Sequence, residues 1–252
     1  MSRPPLPGVR PVPLIAVAHG SRDPRAAATV EELLDLVRRA RPELPVRAAY
    51  LDHAPATLAG ALAGRTEAAV LPLLLTEAYH SRVDIPGALA EAAARQPRLR
   101  VHRGATLGPH PLLTAALERR LAEADVAAGD PETAVVLVSA GSGDHRANAT
   151  VARIARAWSR RGWWAVAAAY ASAAAPAPQA EVRRLLAAGA PRVVVAPYLL
   201  APGHFADRIR ADTLAAGAAA VADVLGAAPE VASVLLERYG QALRAAERSI
   251  TA

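Results

Sequence analysis

The chain of 252 residues has no cysteine. That excludes disulfides, thiolate metal sites and cysteine-held iron–sulfur clusters. It has no lysine either, so all 29 basic residues are arginine. With the heavy use of alanine, glycine and proline, this reads as a compositional bias of the source genome. The arginines stand singly or in pairs, without a long basic run or interleaved aromatics. A nucleic-acid partner is therefore not expected, and the net charge of +6 could equally draw a polyanionic small substrate into a cleft. Apolar runs are broken by proline, glycine or charge before the roughly 18 residues a membrane span needs, so no membrane partner is expected. Residues 1–13 carry arginines and prolines but no apolar core. They are expected to be a disordered lead-in rather than a secretory signal, with the protein cytoplasmic. There is no G-x-G-x-x-G after the first strand and no P-loop, so no nucleotide cofactor is expected.

What is present is organised around Leu14 to Arg25, L-I-A-V-A-H-G-S-R-D-P-R. Leu14 to Ala18 has the length and composition of a buried strand. The chain turns at His19-Gly20-Ser21, and Asp23-Pro24 reads as the cap and first position of a helix. The pattern continues with helix 24–40, strand 46–51, helix 55–63, strand 68–75, helix 82–95, a short strand near 99–103 and helix 110–124. Val30, Leu33, Leu34 and Val37 give the first helix an apolar stripe at helical spacing. Strands alternating with helices predict an α/β fold with a parallel sheet covered on both faces.

Residues 125–133, with Gly129-Asp130-Pro131, read as an exposed linker. The pattern then repeats. Val135 to Val138 is a strand, and the Ser139 to Asp144 stretch stands where His19 to Asp23 stood. Val46 to Tyr50 is answered by Val166 to Tyr170, Ala69 to Leu75 by Val194 to Leu200, His80 by His204, and Leu107-Gly108 by Leu225-Gly226. A duplicated α/β unit follows: domain one over 14–125, linker 126–133, domain two over 134–252.

The halves differ where chemistry would sit. His19 ends strand one, Asp52 follows strand two and His80 follows strand three. All three lie beyond carboxyl ends of parallel strands, where open α/β sheets place their ligands. The second half carries Ser139, Ser172 and His204 at the matching places, so a single complete site in the first half is predicted. Two imidazoles and a carboxylate suit a divalent first-row metal, or an acid, a base and an orienting group in metal-free chemistry. Ordinary loop histidines are the plain alternative, and for His53, His102, His110 and His145 that reading is preferred. Trp158, Trp163 and Trp164 are read as packing residues.

With these residues in hand, the chain resembles the sirohydrochlorin chelatases of the CbiX and SirB type. The resemblance rests on A-H-G-S-R-D-P-R (18–25), A-Y-L-D (49–52), T-E-A-Y-H-S-R-V-D-I-P (76–86) and L-G-P-H-P-L-L (107–113). It implies two flavodoxin-like domains facing across a cleft that holds a tetrapyrrole. It also implies insertion of Fe²⁺, or alternatively Co²⁺, into sirohydrochlorin, with no cofactor beyond that metal substrate. His19 and His80 match the family's metal-binding histidines. Asp52 stands where the family usually has Glu, one methylene longer. Arg22, Arg82 and Arg208, near strand ends, are candidate partners for the substrate's carboxylates. His110 stands where Asp is common, and no role is carried over to it. The duplicated chain is expected to be a monomer. The competing readings are a non-catalytic metal or tetrapyrrole carrier of the same fold and a histidine phosphatase with His19 as nucleophile. The latter chemistry wants Arg before His-Gly, where this chain has Ala18.

Overall fold

The structure is a computed structural model that describes residues 11–52, 56–77 and 83–250. The first half runs β1 (Leu14–Ala18), α1 (Pro24–Ala40), β2 (Val46–Tyr50), α2 (Leu58–Leu62), β3 (Glu67–Pro72), α3 (Ile85–Arg95), β4 (Arg100–Arg103) and α4 (Pro111–Ala122). The second runs β5 (Thr133–Ser139), α5 (His145–Ser159), β6 (Ala165–Tyr170), α6 (Pro178–Ala187), β7 (Arg192–Pro197), α7 (His204–Ala215), β8 (Ala220–Val221) and α8 (Pro229–Ile250). Each half forms a parallel sheet of four strands, in the orders β2-β1-β3-β4 and β6-β5-β7-β8. The strand order reverses between β1 and β3, and between β5 and β7, which opens a crevice beyond their carboxyl ends.

Local chemistry fixes the helix starts. Asp23 accepts a hydrogen bond from the Arg25 N–H, with Pro24 at the first helical position, and Asp144 caps α5 through the Arg146 N–H in the same way. The expected helix over 55–63 is shorter, 58–62, and the expected strand over 68–75 ends at Pro72, where the chain leaves the sheet.

The alternation of each strand sorts its side chains into two cores. Leu14 and Ala16 of β1, with Val135 and Leu137 of β5, face one shared core that also holds Leu33, Leu117, Val151, Trp158, Val231 and Leu235. Ile15 and Val17 face α2 and α3 in a core private to the first half. Val136 and Val138 face α6 and α7 in a core private to the second. Thus α1, α4, α5 and α8 form one helical layer between the two sheets. Within it, α8 packs on α1, α4, β3 and β4 of the first half, and α4 packs on β7 of the second. The last helix of each half is given to the other half.

This exchange explains a correction. Residues 125–133 are not an exposed linker throughout: Val126 is 1% exposed and sits in the shared core. Asp130 accepts from Thr133 Oγ1 at 2.6 Å and from Arg192 at 3.1 Å. A segment that joins two halves with a common core runs along that core's edge. Trp158 and Trp163 are buried and meet edge to face at 5.7 Å. Trp158 Nε1 donates to Glu118 across the halves.

Candidate functional site

A cleft of about 720 Å³ opens beyond the carboxyl ends of β1 and β3. The first half supplies Ala18 to Arg22, Val30, Tyr50 and Leu73-Leu74, and the second supplies the segment from Leu199 to Ala206. The walls are chiefly aliphatic, and His19 of the first half and His204 of the second both line the cleft. His19 is exposed at the cleft edge, immediately after the fully buried β1.

Gly20 sets the position of Asp52. Its φ of 100° lies in the region that favours glycine, and a Cβ there would stand 1.8 Å from the Asp52 carbonyl oxygen. That close pass lets the Asp52 N–H donate to the His19 carbonyl at 2.9 Å, one step beyond Leu51 N–H to Ala18 O. The backbone thereby carries the imidazole and the carboxylate on adjacent strand ends.

The same architecture in the second half corrects the residue matching. Ala18 pairs with Tyr50 and Ser139 pairs with Tyr170, so Ser139 corresponds to Ala18 and is buried. Gly141 presses on the Ser172 carbonyl as Gly20 does on Asp52, and Ser172 N–H donates to Ala140 O. The counterpart of His19 is therefore Ala140, not Ser139. At that place the second half has no ligating side chain at all.

The cleft is bounded on one side by an ion-pair clamp. Arg25 Nη2 lies 2.6 Å from Asp23 Oδ2 and 2.6 Å from Asp207 Oδ2, tying the start of α1 to the start of α7. The guanidinium holds both carboxyls below the usual carboxylate range, and they in turn raise its own affinity for its proton. Deeper in, burial pushes the Tyr50 phenol up. Burial pushes Tyr198 up as well, and its hydroxyl donates to Leu75 O of the other half.

Of the other candidates, Arg22 lines the cleft. Arg208 does not: it donates to Ala171 O and lies with its guanidinium carbon 5.9 Å from the Phe205 ring centroid. The structure thus turns Arg208 toward a loop of its own half. His80 and Arg82 lie outside the described residues, and so does His53. Among the described residues no group of three or more His, Asp and Glu is arranged to hold a metal. His102 bonds Glu67 at 2.7 Å, and His110 caps α4 and meets Glu237 of α8 at 3.1 Å, which makes both structural. The residue that sequence reasoning left without a role is His204. Its pairing with His80 in the repeat was visible, but not that the fold brings it to the same cleft as His19. Among the described residues no helix is long and apolar enough to cross a membrane.

The family model described as CbiX matches residues 13–124 and again 134–242. A sirohydrochlorin cobaltochelatase of Priestia megaterium is 27% identical over 205 residues, covering 78% of this chain and 66% of that protein. A sirohydrochlorin ferrochelatase of Bacillus subtilis (strain 168) is 30% identical over 137 residues, 52% of this chain and 51% of its own length. The chain thus spans about one half to two thirds of these two relatives. Among solved structures, SirB from Bacillus subtilis with Fe³⁺ superposes with a TM-score of 0.76 at 24% identity, over 91% of this chain and 94% of that one. That likeness is one of fold.

Proposed function

This chain belongs to the CbiX family, whose model covers both of its halves, and on that premise we propose that it is a chelatase inserting a divalent metal ion into sirohydrochlorin. The observation that carries the reading is the cleft between the halves, lined by His19 of the first and His204 of the second. Its aliphatic walls suit the faces of a macrocycle, and Arg22 at its edge suits a carboxylate of the rim. Relatives named for cobalt and for iron insertion both align with the chain.

Insertion requires two pyrrole N–H protons to leave while the ion exchanges protein ligands for ring nitrogens. In this reading His19 and His80 hold the incoming ion through neutral imidazoles. Such ligands bind a first-row divalent ion without the permanence of a thiolate site. Asp52, kept next to His19 by the Gly20 contact, accepts a pyrrole proton as general base. Its carboxylate is one methylene shorter than glutamate, so it works from the position the backbone gives it. His204 meets the macrocycle from the second half and is a further proton acceptor. Arg22 and Arg82 engage substrate carboxylates, and Arg208 supports the wall through Phe205.

The metal is substrate, Fe²⁺ favoured and Co²⁺ the alternative, and no nucleotide takes part. Residues 14–125 carry the site and residues 134–252 the degenerate copy. The shared core supports a monomer, since a duplicated chain buries internally the surface on which a half-length relative would pair. A cytoplasmic location accords with this chemistry. Anaerobic metal insertion followed by the visible absorbance of the macrocycle tests the proposal.

A further inference from the structure

The duplication places two cavities in equivalent positions outside the cleft, and their charges differ. One, of about 480 Å³, is lined by Arg25, Glu32, Arg120, Asp207, Arg210 and Asp223 among others. Its cations are matched: Arg25 pairs with Asp23 and Asp207, Arg210 with Asp223 at 2.7 Å, and Arg120 with Glu123 at 2.6 Å. The other, of about 570 Å³, is lined by Arg146, Arg153, Arg156 and Arg238, with Glu77 the acidic residue among its described lining.

The equivalence is residue by residue. Asp23 and Asp144 cap α1 and α5 alike, so Arg146 corresponds to Arg25 and Thr150 to Thr29. Arg238 corresponds to Arg120, since each donates to the carbonyl of a matched leucine, Leu107 or Leu225. On the same frame Arg153 and Arg156 stand where α1 has Glu32 and Asp35. Two acidic positions have become arginine. Arg146, Arg153, Arg156 and Thr150 lie on one face of α5, and Arg238 approaches that face from α8 of the shared layer.

None of Arg146, Arg153 and Arg156 has an ion-pair partner among the described residues. Arg153 donates only to Thr150 Oγ1 at 2.9 Å. Arg238 spends its outer nitrogens on Leu107 O, Pro109 O and Gln241 Oε1, while its Nε is buried with no acceptor among the described residues. A solvated basic helix face does not need a cavity closed by a fourth arginine from another helix. Four guanidinium groups against the one carboxylate of Glu77 in the described lining of one hollow favour an oxyanion there, which each can hold in a two-pronged bond.

We propose that this cavity is a binding site for a small multivalent oxyanion, of the charge and size of a tricarboxylate or a pyrophosphate. The charge is either a free anion or carboxylate arms of a bound tetrapyrrole. The binding site stands on the charge pattern alone and does not depend on the chelatase reading.

The test is isothermal titration of citrate, and separately of inorganic pyrophosphate, into the full chain at low ionic strength. The wild type should bind at one site, with affinity falling as salt rises. The Arg153→Ala/Arg156→Ala double variant should bind at least tenfold more weakly, whereas Arg210→Ala in the charge-matched cavity should bind as the wild type does. Because Arg153 and Arg156 have no carboxylate partner to lose, the double variant should melt no lower than the wild type, which separates lost binding from lost fold. Adding sirohydrochlorin identifies the source. If it displaces citrate, the site takes tetrapyrrole carboxylates, and if both bind together, the site takes a free anion. No saturable heat with either anion, or equal heat in the double variant, overturns the proposal.

Discussion

Arg120 and Arg238 make the same contact in opposite directions. Arg120 of α4 donates to the carbonyl of Leu225 at 3.0 and 3.2 Å, and Arg238 of α8 donates to the carbonyl of Leu107 at 3.2 Å. Each arginine sits on the last helix of one half and holds the loop that leads into the last helix of the other. This reciprocal pair is the local form of the helix exchange that gives the molecule its shared core.

Removing one arm of that pair should cost stability without touching the cleft. Arg120→Met leaves the partly buried Leu225 carbonyl without its donor, a loss of about 1–3 kcal/mol. Denaturant unfolding should show a lower midpoint in a single transition, because the core shared by both halves ties their private cores together.

The seam also carries a pH-dependent contact. Arg119 holds Glu230 at 2.6 Å and keeps its carboxyl below the ordinary range. A depressed folded-state pKa contributes stability above the unfolded value and loses it as pH falls through the folded one. Glu230→Gln should therefore destabilise by roughly 1 kcal/mol or less at neutral pH, as a partly exposed pair does. The gap to wild type should close as pH falls below the unfolded carboxylate value near 4.5. A gap that persists at the acid end would show that the contact works by packing rather than charge.

Gly20 and Gly141 offer a matched comparison. An added Cβ meets the Asp52 carbonyl at 1.8 Å in one case and the Ser172 carbonyl at 1.9 Å in the other, with positive φ at both. Either alanine variant should destabilise by roughly 1–3 kcal/mol through strain. Gly20→Ala should also depress metal insertion well beyond what lost stability explains, since it moves Asp52 from His19. Gly141→Ala should not, because no ligating side chain stands at Ala140. Equal activity losses, measured where both proteins are folded, would contradict the one-sided site.

The Arg25 clamp predicts a kinetic effect. Asp207→Asn frees α7 from α1 at the cleft edge, and KM for the tetrapyrrole should rise severalfold while kcat changes little. The wild type should move toward the variant at high salt, because exposed pairs are screened.

How much of this was legible in the sequence depends on what pattern can encode. β1, α1 and the linear order of elements followed from the buried run, the Asp23-Pro24 start and the Val30–Val37 stripe, since those signals are local. The destination of α8 was not, because an apolar helix face states that it will be buried but not against which sheet. The buried Val126 was hidden for the same reason. The match of Ser139 to His19 fails because the two turns differ in composition, so their residue types alone do not set the register. Strand register, fixed by Ala18 against Tyr50 and Ser139 against Tyr170, removes it. His204 was visible as a repeat partner, but its place in the same cleft as His19 depends on how the halves pack together.

The most direct test of the account is anaerobic insertion of Fe²⁺ and of Co²⁺ into sirohydrochlorin, with wild type and His19→Ala measured side by side. The account predicts insertion by the wild type at least a hundredfold above the spontaneous rate, an acceleration of about 2.7 kcal/mol. It predicts that His19→Ala loses most of that acceleration while melting as the wild type does. Wild type and variant both running at the uncatalysed rate, with sirohydrochlorin still bound, would contradict the chelatase and leave a tetrapyrrole carrier in its place.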